Sequence, residues 1–175
     1  MLRKIIKDHR GFTIIEVIVA TFVFSIMVLS VAAIFSKAIQ LERSARSAQK
    51  VEENALFTLE FMAKEIRVSK ITSPDSPSGG AATLSITHPV NGGVTYALNQ
   101  GNLERTVAGQ PSVMSSSDVT FSSLKFYITG TGINDNQSPK ITILASIKNT
   151  AGAGVFKVDL QTTVVSRDIL SEIQN

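Results

Sequence analysis

The sequence predicts an α+β protein. One long N-terminal helix, membrane-spanning in its first half, packs its second half on a C-terminal antiparallel β-sheet. Three observations carry this. Residues 12–35 are predominantly apolar and carry a single charge, Glu16. From Ser36 to about Ser69 there is no glycine or proline, and apolar residues recur every three or four positions. Beyond residue 82 the apolar period falls to two, with turn residues at short intervals.

The first element, residues 1–11, is a short basic leader. It carries Arg3, Lys4, Lys7 and Arg10 against Asp8, a net of +3, which equals the net charge of all 175 residues. Residues 12–175 therefore balance, with thirteen basic and thirteen acidic side chains. The isoelectric point of about 9.3 reflects the leader and points to membrane topology, with no direct nucleic-acid binding indicated. Positive charge ahead of an apolar run places the N-terminus in the cytoplasm, and everything after about Lys37 outside.

Residues 12–36 form the membrane segment. Its 24-residue apolar core, 12–35, reaches roughly 36 Å as a helix, enough to cross a bilayer with some tilt. Residues 37–69 continue the helix in amphipathic form. Ala55, Leu59, Met62 and Ile66 make one apolar stripe, with Leu56 and Ala63 alongside. Glu42–Arg46 and Glu60–Lys64 are favourable i,i+4 pairs, while Arg46–Lys50 is a like-charge pair. A helix from 12 to 69 spans roughly 85 Å. Its first half needs lipid or other helices, and its second half needs a packed layer.

Residues 70–82 (KITSPDSPSGGAA) read as a linker. Residues 83–175 read as an extracytoplasmic β domain. Strands are predicted at Thr83–Thr87, Val94–Leu98, Leu103–Val107, Val119–Ile128, Lys140–Lys148 and Val155–Val165, giving one antiparallel sheet of about five or six strands on the helix stripe. Thr129–Ser138 reads as a polar loop.

The chain has no cysteine, which excludes disulfides, thiolate metal sites and cysteine catalysis. Neither histidine, His9 or His88, has a ligand-like neighbour at useful spacing. Gly130-Thr131-Gly132 lacks the Lys-Ser/Thr of a phosphate loop. The Asn134–Asn136 loop offers oxygen ligands, but one carboxylate is few for calcium, and a solvated turn accounts for it. No cofactor and no enzyme activity are expected.

Glu16 demands an explanation. A carboxylate costs about 2.5–3.5 kcal/mol at a bilayer centre, less near an end. A cleavable signal peptide does not fit, because its apolar core should run only about 7–15 residues. A plain single-pass anchor with Glu16 at the headgroups fits physically. The whole string is more demanding: basic leader, Gly11, Phe12-Thr13, then Glu16 four residues after Phe12, then the long apolar run. It resembles the N-terminal signal of type IV pilins and type II secretion pseudopilins over residues 1–36.

That resemblance implies a history for the chain. Prepilin peptidase would cut after Gly11 and methylate the new amino terminus at Phe12. The freed ammonium of Phe12 would pair with Glu16 of a neighbour, or of its own chain, making Glu16 an assembly determinant and not a catalytic group. Residues 12–36 would pack against other pilins or pseudopilins, with the inner-membrane assembly platform and the lipid bilayer as further partners. The expected location is the cytoplasmic (inner) membrane, then a pilus or pseudopilus. Residues Ala55–Arg67, Gly101–Arg105, Val119–Tyr127 and Leu160–Arg167 are similar to segments of J-type minor pseudopilins and W-type minor pilins. Major subunits usually carry a helix-breaking proline near positions corresponding to Ser30–Ala33. Its absence here points to a minor subunit. The alternative, from another class, is an unassembled membrane-anchored β domain binding an extracytoplasmic ligand.

Overall fold

A computed structural model describes residues 11–132, 137–150 and 155–167. Among the described residues helix α1 runs from Ile14 to Val68 and is followed by eight strands. The chain divides into two units, one ending at Glu42 and the other beginning at Arg43.

In the first unit the helix starts where the sequence supplies a cap. Thr13 Oγ1 accepts from the Glu16 N–H at 3.3 Å, satisfying a backbone donor that has no partner inside the helix. From Gly11 to Lys37 every residue is exposed. The polar side chains within the apolar run do not leave donors bare. Thr21, Ser25 and Ser30 return their hydroxyls to the carbonyls of Val17, Thr21 and Ile26 at 2.7, 2.8 and 2.8 Å. The helix passes through Ser30–Ala33 unbroken.

In the second unit α1 buries one face: Val51, Ala55, Thr58, Leu59, Met62, Glu65 and Ile66. The predicted stripe of Ala55, Leu59, Met62 and Ile66 is all within it. Leu56 lies outside, 52% exposed. Glu60 and Lys64 pair at 3.4 Å on the solvated side, and Lys50 turns to Asp118 at 3.0 Å.

The β part corrects the single-sheet expectation. There are two antiparallel sheets. The first holds five strands in sequence order: β1 (Lys70–Ile71), β2 (Thr83–His88), β3 (Gly92–Asn99), β4 (Asn102–Val107) and β5 (Gln110–Val113). The second holds β6 (Val119–Thr129), β7 (Lys140–Asn149) and β8 (Lys157–Val165). The two extra strands are those the pattern cannot announce. β1 has two residues, and β5 (QPSV) is exposed throughout and contains a proline. The sheets touch through points, not a ladder. Ala81 and Phe126 exchange backbone bonds at 2.7 and 2.9 Å, and Phe121 N–H donates to the Gly101 carbonyl at 2.8 Å.

Two local devices set the strand geometry. The β3–β4 turn, Gln100-Gly101, has φ of 49° and 82°, the two-residue hairpin form whose twist matches the strands it joins. In β6 the inward residues are Val119, Phe121, Leu124, Phe126 and Ile128. Their phase slips by one residue between Phe121 and Leu124, and the register shift with β7 falls between Phe121 and Ser123. A bulge is what keeps both halves of the strand facing the core.

Residues 70–82 are held closely. Thr72 and Ser73 N–H groups donate to the Ser85 carbonyl at 3.0 and 3.1 Å, and Ser76 N–H to Ile128 at 2.8 Å. The Asp75 carboxylate accepts from Gly130 N–H (3.3 Å), Thr131 N–H (3.0 Å) and Thr131 Oγ1 (2.7 Å). Those hydrogen bonds from Thr131 hold its carboxyl below the usual range.

The helix end is closed by the two residues that follow β8. Ser69 Oγ donates to the Glu65 carbonyl at 2.6 Å. Ser166 Oγ donates to the Ser69 carbonyl at 2.7 Å, and Arg167 N–H to the Arg67 carbonyl at 3.0 Å. Carbonyls that a helix leaves open at its C-terminus thus find partners nearly a hundred residues on.

Candidate functional site

The residues singled out by the sequence, Gly11, Phe12 and Glu16, sit together at the start of α1. Gly11 and Phe12 precede the helix and are exposed, Phe12 by 82%. A Cβ added to Gly11 meets nothing within 4 Å. Among the described residues, then, nothing makes a steric demand for glycine at position 11.

Glu16 lies in the first turn of α1, where the helix dipole favours an anion. With Thr13 as cap, Glu16 stands three residues on, the spacing of a capping box. Among the described residues its carboxylate makes no side-chain hydrogen bond, and the cap rests on the Thr13 hydroxyl alone. The Thr13–Glu16 spacing was readable in the sequence and gives Glu16 a local role besides any intermolecular one. Phe12 lies four residues, about one turn, before it.

The helix beyond is apolar on every side. One window of α1 reaches a mean hydropathy of 2.7 with none of it buried. It is the one helix among the described residues long and apolar enough to cross a membrane. A ridge of Phe24, Met27, Val28, Val31, Ala32 and Phe35 runs along it, the sort of surface that packs against lipid or another helix.

Sequence reasoning missed a second polar arrangement, in the other unit. Glu65 is buried at 7% exposure in the face of α1 that covers the first sheet. Arg105 on β4 grips it with Nε at 2.9 Å and with a terminal guanidinium nitrogen at 2.5 Å. Tyr96 on β3 donates its hydroxyl to the same carboxylate, and Asn91 Nδ2 donates at 3.4 Å. The guanidinium also lies over the Phe61 ring, 5.9 Å from its centre. Burial pushes the Glu65 carboxyl up, but Arg105, Tyr96 and Asn91 together bring it below its usual range. Burial and the Glu65 carboxylate push the Tyr96 hydroxyl far up, and the bond to Glu65 raises Arg105. The signal was an acidic residue between Met62 and Ile66 of the stripe. Its partners lie on strands too far along the chain for spacing to reveal.

This arrangement is saturated. Every oxygen of Glu65 is engaged, so it offers no free acid or base to the shallow depression of about 280 Å3 lined by Phe61, Lys64, Val68, His88 and Asn91. His88 Nδ1 accepts from the Val90 and Asn91 N–H groups, both at 3.2 Å, and so caps its own turn. No cluster suited to a metal ion occurs among the described residues. The Asn134–Asn136 loop, weighed above for calcium, lies outside the described residues, as do leader residues 1–10.

The class these features define is an α+β chain: an apolar helix with one early carboxylate, long enough to cross a membrane, and antiparallel β-sheets packed on the helix continuation. Residues 6–32 match the family model of the prokaryotic N-terminal methylation motif, the signature of type IV pilins and pseudopilins. The comparisons with curated proteins and with solved structures return no match.

Proposed function

We propose that the chain is a minor pilin-like structural subunit of a type II secretion pseudopilus or a type IV pilus. Prepilin peptidase cuts it after Gly11 on the cytoplasmic side and methylates the new amine of Phe12. Hydrolysis of the Gly11–Phe12 amide creates the positive charge that the apolar segment lacks. The Phe12 ammonium and Glu16 then pair within or between subunits, and residues 12–36 pack against the helices of sister subunits in the inner membrane and the filament.

The observation that carries this reading is the motif match over residues 6–32. The open surroundings of Gly11 support it, because no contact among the described residues explains the glycine. The unbroken helix through Ser30–Ala33 supports a minor subunit over a bulk one. A straight helix without proline is harder to unwind during assembly.

Intact-mass measurement of the chain from cells with active peptidase should show loss of residues 1–11 and gain of one methyl on Phe12. Glu16→Ala should be cut and methylated normally but drop at least tenfold in recovery from sheared filaments. An intact leader in the wild type would favour the unassembled anchor, with its β domain binding an extracytoplasmic ligand. Normal filament recovery of Glu16→Ala would remove the pairing role.

A further inference from the structure

The two sheets have four outer edges, and three of them are protected. β1 is two residues long. β5 is four residues long and carries Pro111. β6 is met by Ala81 at Phe126 and by Gly101 at Phe121. The fourth, β8, is nine residues long, has no glycine or proline, and pairs only with β7 among the described residues. Its register with β7 runs without a break from Lys157 to Val165. Soluble domains rarely leave such an edge bare, because its unpaired backbone groups template another strand.

The alternation of the ladder says which groups are open. Asn149 N–H donates to Phe156 at one end, and Ser166 N–H to Pro139 at the other. Positions 156, 158, 160, 162, 164 and 166 therefore turn their backbone groups toward β7. Lys157, Asp159, Gln161, Thr163 and Val165 turn theirs outward. The core row is unfinished on the same side. Ile141, Ile143, Ala145 and Ile147 of β7 are sealed, whereas Val158, Leu160 and Thr162 of β8 are only half-buried. Among the described residues after β8, Ser166 N–H donates to the Pro139 carbonyl and Arg167 N–H to the Arg67 carbonyl at the helix end.

We propose that β8 pairs with β8 of a second copy, antiparallel about a two-fold axis through Gln161, joining two three-stranded sheets into one of six. The sequence of the strand (KVDLQTTVV) is self-complementary in that register. On the inner face Val158 meets Val164 and Leu160 meets Thr162, so each half-buried side chain gains an uncharged neighbour. On the outer face Gln161 meets its own copy, an amide that both donates and accepts. Asp159 meets Thr163, and Lys157 meets Val165. No like charges oppose each other. Lys157 and Asp159 satisfy one another within each copy at 3.1 Å. The axis passes through residues whose backbone groups point outward, as an isologous strand pair requires. The pairing belongs to the β-bearing unit and does not depend on processing of the leader.

The chain's lack of cysteine permits a register-specific test in membranes of producing cells under mild oxidant. Gln161→Cys should convert most of the chain to a disulfide-linked dimer, because opposed residues in such a pair lie within disulfide reach. Asp159→Cys alone should stay monomeric, its copies lying four residues, or roughly 13 Å, apart along the strands. Co-producing Asp159→Cys with Thr163→Cys should restore the crosslink. Thr163→Pro removes an outward N–H and the Thr163 Oγ1–Thr142 Oγ1 bond at 2.9 Å, so combined with Gln161→Cys it should abolish the dimer, whereas Thr163→Val, which loses that bond but keeps the N–H, should leave the Gln161→Cys crosslink intact. A monomeric Gln161→Cys chain, or equal crosslinking by all the single variants, would overturn the proposal. So would a monomer whose Gln161, Thr163 and Val165 amides exchange slowly, which would give the edge to an unlike strand.

Discussion

Arg105→Ala isolates the buried ion pair. The substitution removes both guanidinium bonds from a carboxylate that remains 7% exposed, keeping Tyr96 and Asn91 as partners. Breaking a buried pair from one side costs about 3–5 kcal/mol, because an uncompensated charge stays inside. For a folded unit of this size that is a fall of roughly 10–15 °C in melting temperature. The chain has two tyrosines and no tryptophan, and Tyr96 is buried in the pair, so tyrosine fluorescence follows the loss directly. The pH dependence separates this cause from lost packing. In the wild type the Glu65 carboxyl is depressed. Its contribution is complete above the unfolded value of 4.5 and disappears as pH falls through the folded value. Without Arg105 the dominant influence on Glu65 is burial, which favours the protonated form. The variant should therefore close the gap on the wild type between about pH 7 and about pH 4. Glu65→Leu combined with Arg105→Met should recover most of the stability. A melting temperature for Arg105→Ala within 2 °C of the wild type at neutral pH, or a gap that widens with acid, would refute the reasoning.

Two further substitutions probe the same unit. The Thr58 hydroxyl is buried without a hydrogen-bond partner among the described residues. Thr58→Val keeps the shape and removes that group, and it should raise the urea midpoint by the equivalent of about 1 kcal/mol; a lowered midpoint would show the hydroxyl to be satisfied. Gly101→Ala should cost about 2–3 kcal/mol, combining left-handed strain at φ 82° with a methyl 2.6 Å from Thr120 Cγ2. Gly92→Ala carries similar strain but meets nothing within 4 Å, so it should cost about 1 kcal/mol; equal losses in the two variants would remove the contact with Thr120 from the account.

What the sequence made legible follows from the range of each signal. The helix, its buried stripe and the six longer strands rest on local periodicity, which needs only neighbours in the chain. The residues of the proposed processing motif are equally local, since Gly11, Phe12 and Glu16 fall within half a dozen positions. The division into two sheets was hidden because it depends on where β6 lands after β5, and no local pattern encodes that. β1 and β5 were too short or too polar to register. The bulge in β6 was written plainly, as a three-residue gap between Phe121 and Leu124, but it takes a strand pairing to give the gap a meaning. The partners of Glu65 come from the β2–β3 turn, β3 and β4, so only the folded chain shows that an acid in an apolar stripe is answered.

The bonds from Ser166 to Ser69 and from Arg167 to Arg67 set an order of events. A chain made from its N-terminus presents α1, then the five-stranded sheet, and only later β8 and the two residues after it that close the helix end. Until β8 arrives, the final turn of α1 has open carbonyls and the second sheet lacks its outer strand. The helix end is thus latched only once residues 166 and 167 are in place, and a chain cut before Ser166 would fray at the joint between helix and sheet and be open to proteolysis there.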